Sequence, residues 1–152
     1  MYATYGSLFD TEDAILIDAV AEGSEAQGSE ARRAMLRRAF RGDSGTLPIV
    51  ARASPTEDAP LLGYAMLEYS FFDNGFVPLV YVAPEYRRRG VARQLIAFIE
   101  NLCQRPTLFS STNLSNAPMH ALFARLGYSA CGMVTALDEN DPEVFYVKRV
   151  KP

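Results

Sequence analysis

The chain has 152 residues, 49% of them hydrophobic and 22% charged, the balance of one globular domain with a substantial core rather than of a disordered segment. Its net charge of -3 and pI near 5.2 argue against a general nucleic-acid binder, so any basic cluster is local. The N-terminus has no basic segment followed by an apolar one, no apolar run approaches the ~20 residues of a membrane span, and the two cysteines show no metal-ligand spacing, so the expectation is a cytoplasmic protein with reduced thiols, no metal and no membrane or nucleic-acid partner.

In chain order, residues 3–8 read as a first strand. Thr11 is a helix cap by type, Glu12 and Asp13 suit a first turn, and residues 14–21 read as a mostly buried helix. Gly23 and Gly28 bracket a polar loop. Ser29 starts a second helix, with Ala31, Met35, Ala39 and Phe40 at helical spacing. Its Arg32, Arg33 and Arg37 suit either a solvated face or contact with an acidic partner. Residues 42–45 end that helix. Residues 47–53 and 61–72 are β-like, separated by a turn with two prolines and two acids. Asp73-Asn74-Gly75 is a hairpin signal, and residues 76–82 form the next strand. Pro78 inside that strand cannot donate to a ladder, so a bulge, a local opening or an edge position is expected there.

Residues 90–104 read as a helix with Val91, Leu95, Phe98, Ile99 and Leu102 on one face, stopped by Pro106. Cys103 lies near the apolar side. Residues 107–111 form a short strand. Asn116 or a neighbour caps a further helix, with Pro118 in its first turn, Gly127 at its end, and Met119, Leu122, Phe123 and Leu126 as its buried stripe. Residues 128–136 and 144–150 are the final strands, joined by an acidic turn over 138–142. There is no repeat or linker, so residues 1–152 are expected to form a single domain of mixed α/β order.

One helix start is electrostatically odd. Arg87, Arg88 and Arg89 precede Gly90 where the helix dipole places positive partial charge, which favours acids and not arginines. Open N–H donors point out of the same end. A phosphate satisfies both, which points to the pyrophosphate of a nucleotide-type cofactor. The chain has no Gly-Lys-Ser/Thr phosphate loop, and Gly90 stands alone where a dinucleotide fingerprint needs three spaced glycines. What remains is Val82-x-Pro84-x-x-Arg87-x-x-Gly90-x-Ala92 at a strand–helix junction. Downstream come Asn116, Leu122, Phe123, Leu126, Gly127 and Tyr128.

Together these segments resemble the pyrophosphate loop and the later Asn-containing helix of the GCN5-related N-acetyltransferases, the GNAT family. The order of elements fits from the first strand to the last. The resemblance implies an α+β fold, with a mixed, mostly antiparallel, strongly twisted sheet of about seven strands flanked by about four helices. It also implies a splayed strand pair that binds acetyl-CoA as co-substrate, an amine acceptor as second partner, and a possible homodimer. The backbone of Arg88, Arg89, Gly90, Val91 and Ala92, with Arg87, is then expected to cradle the pyrophosphate. The main chain of Tyr81 and Val82 would meet the pantetheine arm, and Asn116 and Phe123 would contact it from the later helix. By position alone Asn116 is equally a helix cap.

The implied reaction is direct transfer of an acetyl group from the thioester to a primary amine of a small molecule or peptide in a ternary complex. An amine is protonated near neutral pH, so a base must act, and Glu68 stands late in the strand where the family often places a carboxylate. A main-chain N–H near Tyr81 or Val82 is the natural oxyanion donor. His120 has a suitable intrinsic pKa but is read as a helix residue. Phe123 stands where many members have a tyrosine proposed to protonate the departing thiolate. Tyr81 or a water would then serve, or the thiolate leaves unaided. The same gap keeps open a catalytically silent CoA-binding sensor or interaction module.

Overall fold

The computed structural model describes residues 2–5 and 45–152, apart from 55, 57 and 58. The helices expected over 14–21 and after Ser29, with Arg32, Arg33 and Arg37, lie outside the described residues. Among those described there are eight strands and two helices. The strands are β1 (Tyr2–Tyr5), β2 (Leu47–Arg52), β3 (Leu61–Phe71), β4 (Asn74–Val77), β5 (Val80–Val82), β6 (Thr107–Asn113), β7 (Ser129–Val134) and β8 (Glu143–Arg149). The helices are α1 (Val91–Leu102) and α2 (Ala117–Leu126). The chain divides into two compact units, Met1–Met66 with Leu79–Leu95, and Leu67–Pro78 with Ile96–Pro152, so β3 and α1 each run through both.

In the first unit β1 lies antiparallel to β2, with Tyr2 opposite Arg52 and Tyr5 opposite Ile49. The turn after β2 is closed by Ala53 N–H donating to Pro60 O (3.1 Å) and by the Arg52 guanidinium donating to Ala59 O (3.0 Å). The first half of β3 pairs antiparallel with β5, Gly63 opposite Val82, Tyr64 opposite Tyr81 and Ala65 opposite Val80. Gly63 is required for that approach, because a Cβ there would overlap the carbonyl oxygen of Tyr81. Ile49, Ala51, Ala65, Met66 and Leu95 are fully buried in this unit.

In the second unit the end of β3 turns back on β4, β4 runs parallel to β6, and β8 lies between β6 and β7, antiparallel to both. One sheet face carries Gly75, Leu108, Ser110 and Tyr146, which the register places side by side, and the buried Phe123 of α2 stacks on Tyr146 with centroids 4.7 Å apart. Lys148, on the same face, forms an ion pair of 2.8 Å with Glu100 of α1. The other face carries Phe76, Phe109 and Phe145, and the Phe71 ring lies 5.0, 5.1 and 5.7 Å from theirs.

Most strand and helix ends lie within a few residues of the sequence expectation, but the hairpin turn and the strand after it are built differently. The hairpin turn falls on Phe72 and Asp73, both at positive φ (50° and 57°), with Phe71 opposite Asn74. Asn74-Gly75 therefore opens β4 instead of making the turn. A Cβ at position 75 would lie 2.5 Å from Cys103 Sγ and 2.9 Å from Leu108 Cδ1, so this glycine meets a packing demand. The expected strand 76–82 is two strands, interrupted at Pro78 and Leu79. Pro78 has no N–H for a ladder. Before the break β4 pairs with β6, and after it β5 pairs with β3.

Both helices have the ends their sequences suggest. The Asn116 side chain accepts from Met119 N–H at the start of α2, and Pro118 sits in the first turn, where its missing donor costs nothing. Gly127 closes α2 in the left-handed region (φ 79°), with its own N–H on Ala124 O and Tyr128 N–H on Phe123 O. In α1, Leu95, Ile96 and Ile99 are essentially inaccessible. Burying each such side chain contributes about 1.5–3 kcal/mol, more than the propensity of a helix of this length supplies.

Candidate active site

In the first unit the chain leaves β5 at Val82 and makes a 3-10 turn over Pro84–Tyr86. Arg88 follows at φ 59° and Gly90 at φ 82°. A non-glycine residue in that region is uncommon and marks a tightly curled segment. The first helix-type bond of α1 is Gln94 N–H to Gly90 O (3.1 Å). Among the described residues, the N–H groups of Arg88, Arg89, Gly90, Val91, Ala92 and Arg93 donate to no backbone carbonyl. Arg87 to Gly90 are all exposed, and no atom lies within 4 Å of where a Cβ on Gly90 would be. Open donors, three guanidiniums and free space meet at one helix N-terminus, which is the chemistry a pyrophosphate requires.

The arginines are not equivalent. Arg87 donates from Nε to Val82 O (3.1 Å), which ties the loop to the end of β5. The Arg89 guanidinium lies 5.8 Å from the Tyr86 ring centroid. No charged group in the first turn of α1 offsets the dipole, since that turn has no acid.

The β3–β5 ladder decides which main-chain groups beside this loop are open. Ala83 N–H donates to Leu62 O and Met66 N–H to Leu79 O, both at 3.0 Å. Hydrogen-bonded pairs alternate in an antiparallel ladder, so the Tyr64–Tyr81 pair between them is also of that kind. Tyr81 thus spends its N–H and C=O on β3. Val80 and Val82 direct theirs away from β3, and Val82 O is the atom Arg87 holds. Of the two residues expected to offer an oxyanion donor, Val82 has the free N–H and Tyr81 does not. The Tyr81 ring stacks on Tyr64 at 5.3 Å. Burial, partly offset by the Arg87 charge, pushes the Tyr81 phenol above its ordinary value.

In the second unit Glu68 sits where β3 meets β4 with a one-residue register shift, and Ser70 Oγ donates to its carboxylate (2.7 Å). A bulge of this kind re-aims side chains. Asp73 of the hairpin turn is gripped by Arg105 through both its carbonyl and its carboxylate.

Asn116 has both ends of its amide engaged, Oδ1 with Met119 N–H (3.4 Å) and Nδ2 with Thr112 Oγ1 (2.9 Å). Its cap role is therefore present in the fold. Phe123 is 0% exposed and stacks between Tyr128 and Tyr146. His120 also has no free nitrogen. Nε2 faces the carbonyls of Asn113 (3.1 Å) and Leu114 (3.0 Å), which only accept, so Nε2 carries the proton. Nδ1 and the Tyr146 hydroxyl share a hydrogen bond of 2.6 Å. Tyr146 is the residue that sequence reasoning overlooked. Its place in the strand periodicity was visible, but its pairing with a helix 26 residues away was not. Among the described residues no group of three or more potential metal ligands is found.

The sequence profile of the acetyltransferase (GNAT) family matches residues 13–128. The chain belongs to that family and is an acetyltransferase by class. Among curated protein sequences none matches it. A GNAT-family acetyltransferase from Bacillus cereus is 28% identical, with 97% of this chain and 96% of that one covered and a TM-score of 0.78. The ribosomal-protein-S18-alanine N-acetyltransferase of Escherichia coli shares the fold at 17% identity, 99% and 96% coverage and TM-score 0.73. So does Arabidopsis thaliana NAA60, solved with acetyl-CoA, at 12% identity, 97% and 98% coverage and TM-score 0.74.

Proposed function

We propose that this protein is an acetyl-CoA-dependent N-acetyltransferase acting on a primary amine of a small molecule or peptide, by direct transfer in a ternary complex. The observation that carries the reading is the run of unpartnered N–H donors from Arg88 to Arg93 beneath three exposed arginines. Acetyl-CoA when bound supplies the activated acyl group and the phosphates. The N–H groups of Arg88 to Ala92 and the guanidiniums of Arg88 and Arg89 hold the pyrophosphate. Arg87 keeps the loop against Val82. The Val82 N–H, directed away from β3, donates to the oxyanion or to the pantetheine arm.

Glu68 takes a proton from the acceptor ammonium, and Ser70 fixes its carboxylate. Tyr81, with its pKa raised by burial, keeps its proton through neutral pH, which suits a donor to the departing thiolate and not a base. Asn116, in addition to capping α2, and Phe123 of the same helix are the expected contacts of the pantetheine arm there. The amine acceptor is favoured by the shared fold with enzymes that act on protein amines.

The test is a thermal shift followed by a turnover assay. Saturating acetyl-CoA stabilises the folded state by about 2.7 kcal/mol at a hundredfold excess over Kd, visible as a rise in Tm. Gly90→Glu, which places a like charge at the phosphate position, loses that rise while keeping its circular dichroism spectrum. An undiminished rise in this variant sinks the loop assignment. Acceptor-dependent release of CoA across a panel of amines is the second expected result, and binding without release from any amine returns the protein to a silent CoA-binding module.

A further inference from the structure

In the second unit, the sheet face opposite α2 is covered with aromatic rings. Phe71 lies 5.0 Å from Phe76, 5.1 Å from Phe109 and 5.7 Å from Phe145, centroid to centroid. All four rings are partly exposed. Phe72, in the adjoining turn, stands edge-on to Phe71 at 5.2 Å and is 85% exposed. Its φ of 50° is unfavourable for a bulky residue, and asparagine or glycine would suit the turn better. The backbone therefore gives no reason for a ring at that position.

A carboxylate borders these rings. The register sets Glu68 of β3 opposite Phe76 of β4, and Phe109 of β6 continues the same row. Residues opposite each other in an antiparallel pair share a face, with Cβ atoms about 4.5–5.5 Å apart. Among the described residues Glu68 has no cationic partner. Arg105 is taken by Asp73 and Lys148 by Glu100, while Ser70 Oγ donates to the Glu68 carboxylate. An unpaired anion at the edge of a ring cluster fits a ligand with a cation at one end and a flat apolar group at the other. Ring faces also attract cations, which adds to the pull of the carboxylate.

We propose that the acetyl acceptor is a small arylalkylamine, a primary amine joined to an aromatic ring by a short alkyl link. The inference rests on the amine acetylation proposed above, with Glu68 as base, and names the acceptor that this site takes. The acceptor ring stacks on Phe76 and Phe71 at the roughly 4.5–7 Å separation of aromatic pairs, and the ammonium meets Glu68. Glu68 takes one proton from the ammonium. The freed lone pair forms the N–C bond to the acetyl carbonyl carbon, and the C–S bond breaks with its electron pair on sulfur. The second proton lost by nitrogen ends on that sulfur. The products are the amide, the CoA thiol and a proton on Glu68 that passes to water.

The test compares CoA release from acetyl-CoA with 2-phenylethylamine and with hexylamine, which carries the same amine on a flexible apolar chain. The expected kcat/KM is about tenfold higher for 2-phenylethylamine. Phe76→Leu keeps an apolar side chain without the ring, and the preference should fall to about twofold, chiefly through KM. Phe76→Tyr keeps the ring and should keep the preference. Both variants should retain the rise in Tm with acetyl-CoA. In the unaltered protein 2-phenylethanol, a ring without the charge, should compete with 2-phenylethylamine, and hexanol about tenfold less well. Equal kcat/KM for the two amines overturns the acceptor class and leaves amine acetylation standing. Acetyl-CoA binding with no release from any amine overturns both. A preference that survives Phe76→Leu undiminished overturns the assignment of the ring to this face.

Discussion

Position 123 shows how far a residue can be read from its neighbours in sequence. Its apolar spacing in α2 made it a core residue, and it is fully buried. The resemblance set it where a tyrosine is proposed to protonate the departing thiolate, which suggested a missing acid. In the fold the ring is packed against Tyr128 and Tyr146 and has no exposed surface. Phe123→Tyr is therefore expected to add an unpaired buried hydroxyl and destabilise by about 1–3 kcal/mol. Its kcat should not rise. A gain in kcat with an unchanged Tm would show that the ring edge faces the reacting thioester after all. His120 teaches a similar lesson. Its type suggested proton transfer, but the carbonyls of Asn113 and Leu114 and the hydroxyl of Tyr146 occupy both nitrogens. Such partners come from the end of β6 and from β8, and the pairing with β8 leaves no local sequence signal.

At the scale of elements, capping and periodicity were legible and strand breaks were not. Asn116, Pro118 and Gly127 mark the ends of α2 through local backbone chemistry, which a sequence carries in full. The loop after β5 was legible for the same reason, because a charge run at a helix start is a local contradiction. The β4–β5 break and the displaced turn at Phe72–Asp73 depend on tertiary contacts. Gly75 looked like a turn residue, and it is a strand residue with no room for a side chain. Gly75→Ala should press on Cys103 and Leu108 and cost about 1–3 kcal/mol, or roughly 2–10 °C in Tm for a chain of this length. Adding Cys103→Ala to that variant should recover part of the loss, and strict additivity of the two changes would refute the contact.

For the molecule as a whole, the mixed α/β order read from the sequence agrees with the observed fold and with the family assignment. No described helix is long and apolar enough to cross a membrane. One buried phenol ties stability to pH. Tyr128 is 6% exposed, and burial, with the Glu100 carboxylate close to its hydroxyl, pushes its pKa far up. The unfolded chain releases that proton near pH 10, whereas the folded chain keeps it. Above that pH the unfolded state binds fewer protons, so stability present below it is lost as pH rises. Tyr128→Phe should flatten the fall in urea-unfolding free energy between pH 9 and pH 11, and an equally steep fall would assign it to other groups. The open amide at Val82 exists because β5 meets β3 with even-numbered partners bonded, a matter of phase and not of residue type. A one-codon insertion between Pro78 and Val80 would barely change composition, charge or hydropathy. It would turn that amide inward and hand the outward place to its neighbour. Point substitutions along β5 should therefore be tolerated in lineages where single-residue length changes are not.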